Sequence, residues 1–377
     1  MRRLIDAVSQ AIRIPSFSDE EEAFANYLVE LMTELDFDEV AIDSTGNVYG
    51  VIGQGPLRLQ FDGHLDTVRV DDADQWKYPP FSGQLAEGAV WGRGSVDMKS
   101  GLICAIYAAA EAKSLGLLKE KQVLITGTVC EEYCDGVNLE RFYESTGIRP
   151  EAVIICEPSG NRLALGHKGK AQLRITTHGL SAHGSAPEKG VNAIYRMAPI
   201  IQRIEELNQQ LKTKGDGTIV LSNISSVSAS LNAVPSSCTI YVDRRLGMDE
   251  SLAQVEAEMN SLIRDVDATW QVGTLVHHSW TGQKLLYQPM HEPWRIEPSH
   301  PLTKTLQQAV EAAGCDPGDE IYWDFGTNAI TPVAMGLPTI GLGPGDYKLA
   351  HMVDEHCPVA QLEDAQKIYL ELIRRYE

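Results

Sequence analysis

The chain has 377 residues, of which 52 are Asp or Glu and 32 are Lys or Arg, so its formal net charge is −20. This acidity argues against nucleic acid or an anionic membrane as the main partner, because phosphate binding needs clustered Lys and Arg. Apolar residues make up 43% of the chain, and no run approaches the roughly 18 to 20 apolar residues that span a bilayer. The seven cysteines are odd in number and scattered, which favours reduced thiols over disulfides. No apolar leader follows the first residues, so we expect a cytoplasmic protein.

The first part of the chain, residues 1–168, alternates helical and strand-like patterns. Helical periodicity covers 4–35 and breaks at Pro15. An alanine-rich run at 102–113 predicts a buried helix. Strand-like runs lie at 48–53, 57–64, 123–129 and 152–156. The last two of these are continuously apolar, as fully buried strands are. Strands that alternate with helices indicate an α/β fold whose sheet is covered on both faces.

From residue 169 to 287 the pattern changes to strand, helix, strand, strand, helix, strand. This order predicts a small inserted α+β domain of ferredoxin-like type with one exposed sheet face. The buried α/β pattern returns from 288 to 377 and ends in an amphipathic helix. We therefore predict one α/β domain, formed by 1–168 and 288–377, that is interrupted by a second domain at 169–287.

Acidic and imidazole side chains follow the predicted strands where these end. His64 and Asp66 point the same way at strand period, and a carboxylate beside an imidazole can fix the tautomer of a metal-binding histidine. Glu131 and Glu132 follow a buried strand, where two adjacent carboxylates are costly unless a cation or hydrogen-bond donors meet them. A solvated acidic turn is the alternative for each pair.

Asp97, Glu157 and His351 extend this set. Two histidines and three of these carboxylates suit a pair of divalent ions, which typically lie roughly 3.5–4 Å apart in such sites. A dinucleotide-binding loop is excluded near Gly94, because Asp97 stands where that pattern needs glycine. A serine nucleophile motif is excluded at 179–183, because His183 replaces its last glycine.

Five short motifs in chain order now point to a family. They are His64-Leu65-Asp66, Gly94-Ser95-Val96-Asp97-Met98-Lys99, Glu131-Glu132, Glu157-Pro158 and Ala350-His351. Together they resemble the M20 metallopeptidases, the group of acetylornithine deacetylase, succinyl-diaminopimelate desuccinylase, aminoacylase-1 and glutamate carboxypeptidase. The resemblance covers nearly the whole chain. It implies a zinc-peptidase-like catalytic domain with an inserted lid that forms a homodimer, and two divalent ions, zinc with cobalt or manganese able to substitute.

The resemblance also implies roles for the matching side chains. The metal ligands would be Asp97 as the bridge, His64 and Glu157 in one site, and Glu132 and His351 in the other. Glu131 would be the general base that takes a proton from the attacking water. Asp66 would orient His64.

The predicted lid contributes three further candidates by the same resemblance. His183 would help to hold the oxyanion, often across the dimer. Asn232 and Arg244 would receive the substrate carboxylate, for which the arginine fork is well suited. Gly343 and Asn328, outside the lid, are also candidates for substrate contact.

Two residues narrow the expected reaction. Glu157 resembles the deacylases and carboxypeptidases of the family, whose aminopeptidases and dipeptidases tend to carry Asp there. Asn328 stands where many amino-acid deacylases carry Asp, and with residues 126–132 it looks most similar to a subgroup of selenium-metabolism hydrolases. We expect hydrolysis of an amide in a small N-acyl amino acid or peptide with a free carboxylate. A dipeptidase or tripeptidase, and a metal-bound binding protein without turnover, remain the alternatives.

Overall fold

The computed structural model describes residues 3–215 and 217–377. Its helices are α1 Leu4–Ile12, α2 Glu22–Glu34, α3 Lys99–Ser114, α4 Val137–Thr146, α5 Ala193–Lys214, α6 Leu252–Leu262, α7 Pro301–Ala312, α8 Ile330–Ala334 and α9 Val359–Arg375. Its strands are β1 Glu39–Ile42, β2 Val48–Gly53, β3 Leu57–His64, β4 Gln84–Ala86, β5 Ala89–Trp91, β6 Gln122–Thr128, β7 Ala152–Ile155, β8 Ala164–His167, β9 Gly169–His178, β10 Thr218–Val227, β11 Ser237–Leu246, β12 Ala268–Val272, β13 Leu275–His278, β14 Lys284–Tyr287, β15 Met290–His291, β16 Trp294–Arg295, β17 Ile321–Trp323, β18 Thr339–Gly341 and β19 His356–Pro358. Among these described residues, no helix is both long and apolar enough to cross a membrane.

Two compact units make up the chain. The first consists of the chain up to Gly166 together with Val276–Leu285 and Arg295–Glu377, and the second of His167–Leu275 and Leu286–Trp294. The second unit thus does not end at 287, where the sequence pattern placed the end of the inserted domain.

Hydrogen bonds explain this difference at 276–294. The segment 276–285 belongs to the first unit because Trp280 Nε1 donates to the Gly46 carbonyl at 3.2 Å and Thr281 Oγ1 donates to the Ser44 carbonyl at 2.9 Å. The segment 286–294 belongs to the second unit because β15 pairs with β9. Periodicity alone shows neither contact.

The first unit is built on a mixed sheet in the order β1-β2-β6-β3-β7-β18-β8-β16, with β17 paired to β8. Strand β3 runs parallel to β6 and β7, and β18 runs parallel to β7. Strand β2 is antiparallel to β6. Helix α3, whose apolar residues are buried, packs on β3 and against α1 and α9. The predicted α/β fold with a mixed sheet is confirmed.

The second unit has the predicted ferredoxin-like order β9-α5-β10-β11-α6-β12. Its antiparallel sheet has the order β10-β11-β9-β12, with β15 also paired to β9. Alternate residues of β11 are buried, since one face of the sheet packs on the core that includes α5 and α6. The side chain of Asn192 caps α5, and Ser251 forms a capping box with Gln254 at the start of α6.

Candidate metal centre

The sheet of the first unit brings the predicted ligands to one edge. His64 is the last residue of β3, Glu131 follows β6 by three residues, and Glu157 follows β7 by two. Because β3, β6 and β7 are parallel neighbours, their carboxyl ends meet at the same edge of the sheet. Side chains far apart in the sequence therefore converge there.

Two histidines face the two oxygens of a single aspartate. His64 Nε2 lies 2.9 Å from Asp97 Oδ1, and His351 Nε2 lies 3.1 Å from Asp97 Oδ2. His64 Nε2 is also 3.5 Å from Glu157 Oε1, and His351 Nε2 is 3.1 Å from Glu132 Oε1. The structure thus places the five predicted ligands in one continuous cluster with Asp97 at its centre.

Acidic groups outnumber basic groups in this cluster, and their pKa values reflect it. Burial and the neighbouring Glu157 raise the pKa of Glu131 well above its ordinary value, although His64 opposes them. Hydrogen bonds to Asp97 and Glu132 raise the pKa of His351 to about 10. The excess of carboxylates therefore makes added positive charge favourable in this cluster. A divalent cation would supply that charge in place of the histidine protons.

Three observations test whether these residues fit a metal pair. Oε1 of Glu131 is buried and has no hydrogen-bond partner among the residues that the structure describes, which is costly for a polar atom unless a ligand meets it. His64 Nδ1 donates to the carbonyl oxygen of Asp66 at 2.8 Å, so in the neutral ring the Nε2 lone pair faces Asp97 and Glu157. Donor atoms of His64, Glu131 and Glu157, and separately of His64, Asp97 and Glu132, lie within 4.8 Å of one another. This imidazole and carboxylate set fits divalent ions such as zinc.

The structure corrects the expected role of Asp66. Its backbone carbonyl, rather than its carboxylate, orients His64, since Oδ1 lies 3.6 Å from Nδ1. The carboxylate instead accepts hydrogen bonds from the backbone N–H groups of Glu131 at 3.0 Å and Glu132 at 3.2 Å. Asp66 therefore positions the segment that carries the predicted base and one predicted ligand.

Sequence reasoning missed two buried acids that shape the same site. Glu21 Oε1 accepts from the Cys130 N–H at 2.9 Å, next to Glu131. Glu355 Oε1 accepts from the N–H groups of Gly94, Val96 and Asp97, and its Oε2 pairs with Arg93. Both glutamates are fully buried. They lie in acidic stretches that read as solvated, so composition gave no signal for either.

The comparisons with known proteins agree with this geometry. The Peptidase family M20/M25/M40 matches residues 61–375. The chain belongs to this family. The uncharacterized protein YgeY of Escherichia coli K12 is 36% identical over 350 residues, which are 91% of this chain and 87% of YgeY. A succinyl-diaminopimelate desuccinylase of Cereibacter sphaeroides is 28% identical over 380 residues, which are 97% of this chain and 96% of that enzyme.

A solved structure shows the same fold. It is the Bacillus subtilis YXEP protein, described as a dinuclear metal binding peptidase of the M20 family, with a TM-score of 0.72 at 12% identity. The alignment covers 99% of this chain and 97% of that one. The predicted family is therefore confirmed, and the chain is a hydrolase of the M20 family.

Two M20 candidates outside the second unit are not free to contact substrate. The amide of Asn328 is buried, with Nδ2 donating to Asp62 and Thr128 and Oδ1 accepting from the Gly136 N–H. Gly343 donates its N–H to Ser159 Oγ and accepts at its carbonyl from the N–H of Ser159. Both residues hold the framework of the site, which corrects their expected role.

Gly343 is tightly confined beneath a ligand. A Cβ atom at this position would lie 2.4 Å from the Cys156 carbonyl oxygen and 2.5 Å from that of Glu157. Only glycine permits this close approach of two backbones. Gly343 thereby lets its own backbone pack closely against the segment after β7, which carries Glu157.

The M20 candidates His183 and Asn232 are neighbours in the second unit. His183 forms a bridge with Ala233, and the Gly184 N–H donates to the Asn232 carbonyl at 2.6 Å. Both side chains are exposed. Their roles in substrate binding stay predictions.

Arg244 is not available for a substrate carboxylate, which corrects its expected role. Its guanidinium is fully buried and donates all five N–H groups. The acceptors are the carboxylates of Glu250 and Glu258 and the Arg245 carbonyl. Burial opposes its charge, but the hydrogen bonds that Arg244 donates to the two glutamates raise its pKa above the ordinary value. Arg244 occupies a buried position of β11, so its charge serves the packing of the second unit.

Proposed function

We propose that the protein hydrolyses the amide bond of a small N-acyl amino acid or peptide that carries a free carboxylate, with Glu131 as the general base. The observation that carries this proposal is the buried, unpartnered Oε1 of Glu131, a residue that lies beside the imidazole of His64 and the carboxylate of Glu157. A base needs a carboxyl oxygen that no protein donor occupies. The family membership supports metal-dependent amide hydrolysis as the reaction class.

The residues would divide the chemistry as follows. His64, Asp97 and Glu157 would hold one divalent ion, and Asp97, Glu132 and His351 the other. Bound divalent ions in such sites lower the pKa of a shared water and polarise the scissile carbonyl. Glu131 would accept the proton of the attacking water and return it to the leaving amine. Burial raises the pKa of Glu131, which favours a carboxyl group that can hold the proton taken from water.

His183 is proposed as the side chain that donates to the developing oxyanion. The Ser185 N–H donates to His183 Nδ1 at 3.1 Å, so Nδ1 accepts and the neutral ring carries its proton on Nε2. The exposed Nε2–H is then a donor for substrate. Loss of one such donor typically reduces kcat by about 10²–10³-fold. We keep Asn232 beside it as a proposed contact to the substrate carboxylate.

A metal-reconstituted activity screen tests the proposal. The chelated protein would be supplied with Zn²⁺, Co²⁺ or Mn²⁺ and assayed against N-acetyl and N-succinyl amino acids, free dipeptides and tripeptides. N-succinyl substrates are included because one relative is named a desuccinylase. We expect metal-dependent release of the free amine from N-acyl substrates. Hydrolysis of dipeptides or tripeptides alone would identify a peptidase instead, and full activity after complete chelation would end the proposal.

We propose further that the second unit acts as a lid and forms a homodimer. Strand β10 lies at an edge of its sheet and leaves Val220, Ile224 and Val227 about half exposed or more, followed by a fully exposed Leu231. A second copy of the chain would cover this apolar edge by strand pairing. Light scattering after gel filtration should give twice the 41.4 kDa mass of the chain, and a monomer mass would refute the dimer.

The proposal also includes a cytoplasmic location. The seven cysteines are free thiols, as is usual in a reducing compartment. Fractionation of cells that express the tagged full-length chain would test this location.

A further inference from the structure

A buried carboxylate and a buried amide face each other next to the metal cluster. Asp62 lies on β3 two residues before His64, and both side chains therefore point to the same face. Asn328 Nδ2 donates to Asp62 Oδ2 at 2.9 Å and to Thr128 Oγ1 at 2.8 Å. Asp62 is 1% exposed and Asn328 is 2% exposed, so solvent does not satisfy either group.

The other side of the Asn328 amide holds a loop. Its Oδ1 accepts from the Gly136 N–H at 2.9 Å, and Thr331 Oγ1 donates to the Gly136 carbonyl at 2.7 Å. Gly136 has a φ of 78° and precedes α4, so it ends the loop 129–136 that follows β6. This loop carries Glu131 and Glu132.

The near end of the same loop is held by carboxylates. Glu21 accepts from the Cys130 N–H, and Asp66 accepts from the N–H groups of Glu131 and Glu132. Asn328 supplies the corresponding acceptor at the far end. The loop is therefore fixed at both ends, and a shift at Gly136 would tilt the segment between them.

The chemistry of the pair requires one carboxylate and one amide. Asp62 uses both oxygens as acceptors, Oδ1 for Thr126 Oγ1 at 2.6 Å and Oδ2 for Asn328. Asn328 uses both amide hydrogens as donors and its oxygen as an acceptor. Two carboxylates here would set oxygen against oxygen in a buried site. Exchanging the two residue types keeps the contact, because an amide at position 62 could donate to a carboxylate at position 328, and the Thr128 hydroxyl can turn to donate.

We propose that Asp62 and Asn328 form a positioning pair that sets the loop carrying Glu131 and Glu132, an inference that rests on the proposed function of those two residues. Neither member of the pair touches substrate. The pair acts through the Gly136 N–H. It requires one carboxylate and one amide, but the carboxylate can be at either of the two positions.

The experiment compares Asn328→Asp, Asp62→Asn and the double exchange D62N/N328D, each measured for steady-state kinetics on the best substrate of the screen and for Zn²⁺ binding by calorimetry. Asn328→Asp should reduce kcat by about 10²-fold with KM nearly unchanged, the loss typical of a misplaced catalytic group. Asp62→Asn should reduce kcat less, because its remaining oxygen can still face Asn328. The double exchange should recover kcat to within about threefold of wild type, since the two substitutions are directly coupled.

A matched control removes a hydrogen bond from the same buried network, at a position outside the loop 129–136. Tyr143 donates to Gln60 Oε1 at 2.7 Å, and Gln60 Nε2 donates to Thr126 Oγ1 at 2.9 Å. Tyr143→Phe should lower Tm and leave kcat unchanged. If Tyr143→Phe reduces kcat as Asn328→Asp does, the effect is general loss of packing and the positioning role is refuted.

The remaining outcomes separate this inference from the proposed function. Wild-type kcat in Asn328→Asp, or a double exchange no better than Asn328→Asp, would overturn the pair. If the wild type hydrolyses no amide, the proposed function fails, and calorimetry then decides alone. In that case Asn328→Asp should weaken Zn²⁺ binding and the double exchange should restore it, whereas equal affinities would refute the pair. If Asn328→Asp does not fold, the double exchange must fold and bind Zn²⁺ as the wild type does, or the pair is refuted.

Discussion

The metal cluster of the first unit and the Arg244 cluster of the second are both buried groups of charge, but they are balanced differently. Arg244 gives each of its five N–H groups to an acceptor of its own unit. The metal cluster holds more acids than bases, and Oε1 of Glu131 has no partner among the described residues. Where the protein itself satisfies a buried charge, the loss of one partner destabilises the fold. A buried charge that the protein leaves unsatisfied is prepared for a ligand.

The largest expected effect comes from the unsatisfied oxygen. Glu131→Gln keeps the shape of the side chain but cannot accept a proton, so kcat should fall by about 10²–10⁴-fold, the usual contribution of a general base. The metal content, measured by atomic absorption, should stay at the wild-type level. The exposed residue Glu363 on α9 provides the control Glu363→Gln, which should keep full activity. Normal turnover in Glu131→Gln would disprove the base assignment.

The satisfied cluster should respond in stability and leave substrate binding unchanged. Arg244→Ala leaves two partly buried glutamates without their cation and should destabilise the protein by about 3–5 kcal/mol, as breaking a buried pair does. Its neighbour Arg245 is partly exposed and pairs with Asp243, so Arg245→Ala should cost about 0–1 kcal/mol. Urea denaturation measures both. A raised KM for carboxylate substrates in Arg244→Ala without a loss of stability would return Arg244 to the substrate site.

Metal removal should lower stability through the metal cluster and not through the Arg244 cluster. Zn²⁺ at 100 times its Kd should stabilise the folded protein by about 2.7 kcal/mol by mass action, and chelation should remove that gain. The increase in Tm should be as large in Arg245→Ala as in the wild type, because the second unit holds none of the predicted ligands. His351→Ala should show a smaller increase. An equal increase in His351→Ala would remove that residue from the ligand set.

The sequence predicted the members of the metal cluster because strand topology brings them together. A ligand that follows a buried parallel strand must lie at the carboxyl edge of the sheet, and His64, Glu132 and Glu157 all obey this rule. The ferredoxin-like order of the second unit could be predicted in the same way, since β11 alternates buried and half-buried residues. The order of the second unit needs only periodicity and chain order, whereas the ligand roles also needed the resemblance to the M20 family.

The partners of polar side chains could not be predicted in this way. Residue type shows that Arg244 can bind a carboxylate, but it does not show that Glu250 and Glu258 already do so. The hydrogen-bond partner of Asn328 could not be predicted either, because its acceptor Asp62 is 266 positions away. Long-range contacts of this kind depend on the packed structure, so the role of a polar residue was the least predictable part of the site.

The smallest expected effect is on the pH dependence of stability. Its sign should be opposite for an acid beside the metal cluster and an acid of the Arg244 cluster. Burial and the nearby Asp66 raise the pKa of Glu21 from 4.5 to about 8. Between those pH values the folded state binds more protons than the unfolded state, so stability from Glu21 is complete below pH 4.5 and is lost as pH rises through 8. In the other cluster, burial acts to raise the pKa of Glu250, but Arg244 holds it below its ordinary value. The contribution of Glu250 is therefore present above its unfolded pKa and lost as pH falls through the folded one.

Glu21→Gln should remove the first dependence, because glutamine does not ionise and still offers an oxygen to the Cys130 N–H. In the metal-free protein, the variant and the wild type should differ in the slope of unfolding free energy against pH by at most about 1.4 kcal/mol per pH unit, with the wild type losing stability faster from pH 5 to 8. Urea midpoints at several pH values measure the slope. Glu250→Gln serves as the opposite control and should change stability chiefly on the acid side. If the plots of unfolding free energy against pH are parallel for Glu21→Gln and the wild type, Glu21 is ionised in the folded protein. Glu21 would then add one more buried negative charge beside the metal cluster.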